Sequence, residues 1–393
     1  MNELQQEACR AIDEAADELH LLSKEIWSNP ELNYEEKHAH KILTEYLEKK
    51  GFNVKRKYIV DTGFKAELGS TEDGPNVAVI CEYDALPEIG HACGHNLIAE
   101  AGVAAGIGIK AAFSKAGKPL GKLIILGTPA EEGGGGKIDM IKAGVFNDID
   151  AAMMVHPAPM TVSHVTLIGV DTVTVKYSGK AAHAGGFPWN GVNALDAAVL
   201  CYQNVSCLRQ QMKPGWRVHG IIKHGGTKPN IIPDHTELEY YFRAQTKTEL
   251  DQLREKMKSC FESAAMATGC TVEYQFSDKP FLNLVTNKRI ADVFRSHAVS
   301  LGVTFDIDVE MPGASTDMGN VSNIVPSIHP FYSIGGKEAN HTKEFTVDSG
   351  DTKAQIPTLN QGKAMALTCI DLYQDNGLVK NIKEEFKSWL ETH

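Results

Sequence analysis

An uninterrupted apolar run, residues 77–81, leads directly into a segment rich in metal-binding side chains, residues 82–96. An Ala- and Gly-rich pattern typical of a helix follows over residues 97–112. The apolar run is typical of a strand buried on both faces, and open α/β sheets bind ligands where such strands end. Charged groups at the edge of a core are costly unless they are paired, and a divalent metal would pair them. The polar side chains of the segment include Glu82, Asp84, His91, Cys93 and His95.

The same pattern recurs along the chain. Residues 123–127 form another continuous apolar run and residues 150–155 repeat that pattern. Residues 328–334 are predicted to be a last core strand before a helix predicted from Thr358. Helical stretches separate these runs, and the first 50 residues also have helical spacing. This alternation predicts an α/β fold with a three-layer, mostly parallel sheet.

The pattern changes near residue 170. Short strands with alternating polar and apolar residues flank two long helices in the order β-α-β-β-α-β, which is typical of a ferredoxin-like α+β unit. We predict that residues 170–283 form an inserted domain, and that residues 1–169 and 284–393 form the catalytic domain. An antiparallel sheet of this kind leaves one face and one edge free for a partner chain.

Length and charge exclude several classes of protein. A chain of 393 residues favours two domains. The formal net charge is −11 and no basic block is present, so we expect no nucleic-acid partner. We found no apolar run of membrane-spanning length, no secretory signal pattern and no paired cysteine spacing among the eight cysteines. These features predict a cytoplasmic protein with reduced thiols.

Other predicted strand ends carry polar side chains too. Glu131 and Glu132 follow the run at 123–127 and precede four glycines. Adjacent carboxylates repel each other, so a cation that takes one leaves the other free to act as a general base. His156 follows the run at 150–155, and His341 follows a glycine turn.

Strand ends distant in sequence thus offer one thiol, three imidazoles and one carboxylate. Mixed donors from separate loops suit a catalytic zinc or manganese site better than a closed structural one. Five protein donors are too few to enclose two ions, which leaves room for a water between ions about 3.5–4 Å apart. The candidate ligands are Cys93, His95, Glu132, His156 and His341.

The motifs together resemble the co-catalytic metallopeptidase family of aminoacylases and carboxypeptidases, and within it the amidohydrolase branch. Residues 82–96 are most similar to the Xaa-Arg dipeptidase group of that branch. The resemblance covers nearly the whole chain. The matching segments are residues 84–87 (Asp-Ala-Leu-Pro), 91–95 (His-Ala-Cys-Gly-His), 131–133 (Glu-Glu-Gly) and 179–184 (Gly-Lys-Ala-Ala-His-Ala), with His156 and His341.

The resemblance implies a two-ion catalytic domain and an inserted lid domain that forms a homodimer. It implies that the five donors above are metal ligands and that Glu131 is the general base, which passes a proton from the bridging water to the leaving amine. Asp84 would orient the ligands. His183 from the partner's lid would stabilise the oxyanion, and Asn230 would bind the substrate carboxylate. Arg243 would assist structurally or electrostatically at the substrate.

Two positions depart from the family pattern. Other branches have an aspartate where Cys93 stands, so the sequence leaves open which group bridges the ions. The amidohydrolase branch commonly has an aspartate where Asn96 stands, and the neutral amide could change the metal or the substrate range.

The leading hypothesis is a metal-dependent dipeptidase or amidase that hydrolyses small dipeptides, with a basic C-terminal residue as in β-alanyl-lysine or Xaa-Arg. An alternative is an amidohydrolase of N-acyl amino acids or p-aminobenzoyl-glutamate. An alternative from another class is a non-catalytic relative whose lid acts in assembly. The complete ligand set argues against this last reading, because loss of function removes costly buried polar groups first.

Overall fold

The structure, a computed structural model, describes residues 1–306 and 313–392. Its contacts divide the chain into two compact units. The first unit contains Met1–Thr166 and most of the chain after Leu284, and the second contains Leu167–Asn283 with a short segment that ends at Thr316.

The first unit begins with three helices, and strands and helices alternate after them. Its elements up to Thr166 are α1 (Glu3–Glu14), α2 (Ala16–Ser28), α3 (Lys37–Lys49), β1 (Asn53–Arg56), β2 (Phe64–Gly69), β3 (Asn76–Cys81), α4 (His95–Lys115), β4 (Lys122–Gly127), α5 (Gly136–Lys142), β5 (Ala151–Met153) and β6 (His156–Ala158).

The second unit has the order β-α-β-β-α-β. Its elements are β7 (Gly169–Ser178), α6 (Ala194–Leu208), β8 (Arg217–His224), β9 (His235–Ala244), α7 (Lys247–Thr268) and β10 (Thr271–Phe276). They form an antiparallel sheet with the strand order β10-β7-β9-β8, in which β7 alternates between buried and less buried residues. This arrangement confirms the predicted inserted α+β fold.

The chain then returns to the first unit. The remaining elements are α8 (Lys288–Ser300), α9 (Met318–Ser322), β11 (Ser327–Ile328), β12 (Phe331–Ser333), α10 (Lys343–Ser349), α11 (Gln355–Gln374) and α12 (Asn376–Thr392).

The main sheet of the first unit has the strand order β1-β2-β4-β3-β5-β11. Strands β4, β3, β5 and β11 are mutually parallel, whereas β1 and β2 form an antiparallel edge. Every residue of β3 is buried, as expected for a strand covered on both faces. The predicted α/β class with a largely parallel sheet is confirmed.

One predicted strand is shortened and another is divided into two. The run at 150–155 ends as β5, and β6 begins at His156; the run at 328–334 divides into β11 and β12 around Pro330. Pro330 has no backbone N–H to donate to the ladder of the main sheet. Strands β6 and β12 instead pair with each other in a separate parallel ladder, in which His156 lies opposite Phe331. The break therefore places His156 beyond the end of the main sheet.

Among the described residues, one helix, α4, is long and apolar enough by length and composition alone to cross a membrane. The prediction that no apolar run reaches that length was therefore wrong. Glu100 interrupts the apolar pattern in the sequence, yet it lies inside the protein at 1% exposure. The most apolar window of α4 is 78% buried in the protein, as in the core helix of a folded domain.

Glu100 makes stability depend on pH. Burial raises the pKa of its carboxyl from 4.5 to about 8, although Ser23 lies close enough to favour the charged form weakly. The folded protein therefore keeps a proton that the unfolded chain releases, so this group makes stability fall as pH rises from about 4.5 to about 8.

We expect Glu100→Gln to match the wild-type free energy of unfolding at pH 5. At pH 8 the variant should be more stable by on the order of 4 kcal/mol, since it has no charge to bury. Urea unfolding across this pH range measures the difference. Equal pH profiles for the two proteins would contradict the prediction.

Candidate metal centre

The predicted ligands lie at the ends of strands of the first unit. Glu82 and Asp84 follow β3, and the loop after them leads to Cys93 and the start of α4. Glu131 and Glu132 follow β4 after three residues. His156 begins β6, and His341 lies between β12 and α10.

Gly94 sets the relative positions of Cys93 and His95. Its φ of 79° lies in the left-handed region, and a Cβ there would come within 2.5 Å of a Pro157 side-chain carbon. Only glycine adopts this backbone conformation with no such contact. Any larger residue would displace either the thiol or the imidazole.

The structure brings all five predicted ligands together, with Glu131 beside them. The donor atoms fall into three overlapping groups, and within each group they lie within 4.8 Å of one another. Among individual pairs, Cys93 Sγ is 3.4 Å from His156 Nε2, and His341 Nε2 is 3.4 Å from Glu132 Oε1. The groups are Cys93 with His95 and His156, Cys93 with Glu132 and His341, and His95 with Glu131 and Glu132.

Asp84 orients two of these ligands. Its Oδ1 lies 2.9 Å from Nδ1 of His95, and its Oδ2 accepts a hydrogen bond of 2.9 Å from the backbone N–H of Glu132. Because Nδ1 of His95 faces this carboxylate, its Nε2 faces the other donors. His156 is oriented in the same way, with Nδ1 2.8 Å from the carbonyl of Pro157 and Nε2 toward Cys93.

The two adjacent glutamates have opposite electrostatic environments. Burial raises the pKa of Glu131 well above its usual value, and the negative charges of Glu82 and Glu132 raise it further. Burial acts in the same direction on Glu132, but His341 and His95 outweigh it and lower the pKa of that carboxyl. Neighbouring carboxyls with separated pKa values can divide the roles of proton acceptor and charged ligand between them.

The arrangement fits a divalent cation. Nε2 of His95 and Oε1 of Glu132 are buried, and neither has a hydrogen-bond partner within residues 1–306 and 313–392. Buried acceptors are normally paired, so these atoms point to a ligand that accepts their lone pairs. Burial also raises the pKa of the Cys93 thiol well above its usual value, and a bound cation would ionise it.

Glu36 supports the loop that carries Glu131. One of its oxygens accepts hydrogen bonds from the backbone N–H groups of Ala130 (2.9 Å) and Tyr34 (3.0 Å), and the other accepts from Thr62 (2.8 Å). Ala130 has a φ of 61°, which is unusual for a residue with a side chain. The buried carboxylate thus stabilises a strained backbone directly before Glu131.

We expect Glu36→Ala to lower the free energy of unfolding by about 3 kcal/mol, because it leaves buried donors unpaired. Hydrolytic activity should fall too, since Ala130 loses its anchor. Thr62→Ala is the matched control: it removes one bond to Glu36 but keeps the bond to Ala130, so activity should be retained. Denaturant unfolding and kcat of both variants test this, and full activity in Glu36→Ala would contradict it.

Three predicted residues lie in the second unit. The backbone N–H of Gly186 donates to Nδ1 of His183 at 3.0 Å, so in the neutral ring Nε2 carries the proton and is available as a donor. A backbone bridge between His183 and Ile231 brings Asn230 next to it, and both side chains are exposed. Arg243 is half-buried and donates to the carbonyl of Gly313 at 2.7 Å, which gives it a structural contact within the unit.

Asn96 does not offer its amide nitrogen to the ligand cluster. That nitrogen donates to the hydroxyl of Ser23 (3.1 Å) and to the carbonyl of Ser349 (3.0 Å). The residue therefore connects α4 with α2 and with the end of α10.

Sequence reasoning missed several charged or aromatic groups at the centre. Lys137 is fully buried between Glu82 and Asp317, at 2.5 and 2.6 Å. His329 is also buried, with its ring 5.5 Å from that of His156, and burial lowers its pKa well below the usual value. Glu82 was noted as part of the polar segment but was given no role. A buried lysine leaves no trace in a hydrophobic pattern, so only the three-dimensional structure reveals this group.

Comparison with known proteins gives concordant matches. Residues 165–269 match the M20 family model that is described as a peptidase dimerisation domain. The Xaa-Arg dipeptidase of Mus musculus is 49% identical, over 99% of this chain and 93% of its own, and that of Homo sapiens is 46% identical, over 97% and 91%. A crystal structure of a Bacillus subtilis protein, described as a dinuclear metal binding peptidase from the M20 family, has the same fold, with a TM-score of 0.69 and 21% identity. The match covers 91% of this chain and 99% of that one.

Proposed function

Because the chain belongs to the M20 family of metallopeptidases, we propose that it is a metal-dependent dipeptidase whose substrates have a basic C-terminal residue. The observation that carries the proposal is a cluster of side chains able to hold a metal, with Glu131 beside it, in a chain similar over nearly its whole length to two Xaa-Arg dipeptidases. The family makes the protein a hydrolase of peptide bonds.

We propose Cys93, His95, Glu132, His156 and His341 as the ligands of two divalent ions. Cys93, His95 and Glu132 each belong to two of the three donor groups, and His156 and His341 belong to one each. The thiol and imidazoles favour zinc, whereas the carboxylates also accept manganese. When bound, such ions polarise the scissile carbonyl and lower the pKa of water.

Glu131 acts as the general base. Its carboxyl is buried and belongs to the donor group that contains His95 and Glu132, which would place it beside the bound ions and the attacking water. It takes the proton from the attacking water and delivers it to the nitrogen of the leaving amino acid. Asp84 holds His95 and the backbone of Glu132 in place during these steps.

His183 donates a hydrogen bond from Nε2 to the developing oxyanion, and Asn230 binds the substrate carboxylate. We propose that His183 acts in the active site of the partner subunit of a homodimer. The match of residues 165–269 to a peptidase dimerisation domain supports the dimer. So does the edge strand β8, where the side chain of Ile221 is 61% exposed.

A substrate comparison tests the proposal. The metal-reconstituted protein is assayed with β-alanyl-lysine and Xaa-Arg dipeptides, N-acetyl amino acids and p-aminobenzoyl-glutamate, with Glu131→Gln as the control for contaminating hydrolases. We expect kcat/KM to be highest for the basic dipeptides. Higher kcat/KM for N-acyl amino acids or p-aminobenzoyl-glutamate would favour the amidohydrolase alternative. Absence of hydrolysis with zinc, manganese or cobalt would favour a non-catalytic role in assembly.

A further inference from the structure

A buried ionic group lies directly behind the proposed ligands. The side chains of Glu82, Lys137 and Asp317 are completely inaccessible to solvent. Asp317 uses both oxygens on Lys137: Oδ1 is 2.6 Å from Nζ, and Oδ2 accepts from the backbone N–H at 3.0 Å. Glu82 contributes only Oε1 to Lys137, at 2.5 Å.

The second oxygen of Glu82 lies near His95, one of the proposed ligands. Oε2 has no hydrogen-bond partner in the part of the chain that the structure describes. It lies 3.5 Å from Nε2 of His95, closer than the nearest oxygens of Glu132 (3.8 Å) and Glu131 (3.9 Å). An unpaired carboxylate oxygen in a dry interior is costly, so a favourable partner is expected at this point.

The distance between Oε2 of Glu82 and Nε2 of His95 fits a cation that is shared by the two atoms. Two donors that share a tetrahedral cation, each about 2.1 Å from it, lie about 3.4 Å apart. The pair Cys93 and His156 and the pair His341 and Glu132 have this spacing, at 3.4 Å each. Glu82 and His95 have nearly the same spacing, at 3.5 Å.

We propose that Glu82 is a further ligand of the metal centre, binding a divalent cation through Oε2 together with His95. The inference rests on the proposed metal-dependent function and extends it. Lys137 and Asp317 are positioning residues: Lys137 occupies Oε1 of Glu82, which leaves Oε2 to the cation and restricts the carboxylate to one oxygen. Lys137 also places a fixed positive charge among Glu82, Asp317 and Glu131, which balances part of their repulsion when no metal is bound.

Metal titration of a single isosteric variant tests the proposal. Glu82→Gln keeps an oxygen that can accept from Lys137, but it replaces the charged Oε2 with an uncharged amide NH2 group. We expect the metal-free variant to retain the wild-type unfolding midpoint. Its affinity for zinc or manganese should fall about 10- to 100-fold at one of the two sites, a loss typical of metal-site residues. Isothermal titration of metal-free protein with each ion measures both sites.

Asp171→Asn is the matched control. Asp171 is another fully buried carboxylate, paired with Arg254 in the second unit, so its change should leave metal affinity unaltered. If Glu82→Gln yields too little folded protein, Glu82→Asp replaces it. That variant keeps the carboxylate charge but moves it away from His95 by the length of one methylene group. We expect the same loss of metal affinity at one of the two sites.

Two results would overturn the proposal. One is wild-type affinity for both ions in the Glu82 variants. The other is an equal loss at both sites with a lower unfolding midpoint of the metal-free protein, which indicates general distortion. If wild-type protein binds two ions and hydrolyses dipeptides in either case, only the role of Glu82 fails. If wild-type protein binds no metal, the proposed function fails.

Discussion

Glu131→Gln is expected to lower kcat about a thousandfold, which is within the usual contribution of a general base. The amide has the shape of the carboxyl group but cannot accept a proton from water. Because all five proposed ligands remain in this variant, it should still bind metal. The measurement is kcat on a basic dipeptide together with the metal content of the same preparation.

The matched control is Glu132→Gln, which alters the neighbouring carboxylate. Glu132 belongs to two donor groups and lies 3.4 Å from His341, so this variant should lose metal affinity as well as activity. A Glu131→Gln protein with near wild-type turnover and a full metal complement would refute the assignment of the base.

His183→Ala should lower kcat about a hundredfold, as removal of one donor to an oxyanion does. KM should change less, because the hydrogen bond strengthens as negative charge develops on the carbonyl oxygen. His183→Gln, which keeps a donor N–H group, is expected to retain more activity. An unchanged kcat in His183→Ala would show that the residue takes no part in the reaction.

A mixing experiment tests whether His183 acts in the partner's site. Glu131→Gln and His183→Ala are each expected to be nearly inactive alone, but a mixed dimer would contain one site with both wild-type residues. Random exchange of subunits should therefore restore roughly a quarter of wild-type activity, as two-fold symmetry requires. If both residues serve the same subunit, mixing would restore nothing.

The sequence predicts the fold class and the family because both depend on local patterns. The continuous apolar run of β3 is typical of a strand in a sheet that is covered on both faces. The alternating burial of β7 is typical of a strand in a sheet that is covered on one face. The proposed ligands follow strand ends, and the carboxyl ends of parallel strands meet at one edge. That rule groups residues as distant as Cys93 and His341 from the sequence alone.

Other features depend on contacts that no local pattern encodes. Lys137 follows the glycine-rich loop and would be assigned to the surface from its type alone, yet it is fully buried. Glu36 acts on Ala130, 94 positions away, through one hydrogen bond. Strand β12, which begins after Pro330, pairs with β6 in a separate ladder, and this pairing between distant segments positions His156.

The metal content of the reconstituted wild-type protein tests the central claim most directly. After removal of metals, incubation with zinc or manganese and removal of excess ions, elemental analysis should find two divalent ions per chain. Dipeptidase activity should appear only in that state. Full hydrolysis of basic dipeptides by protein that contains no divalent ion would contradict the account.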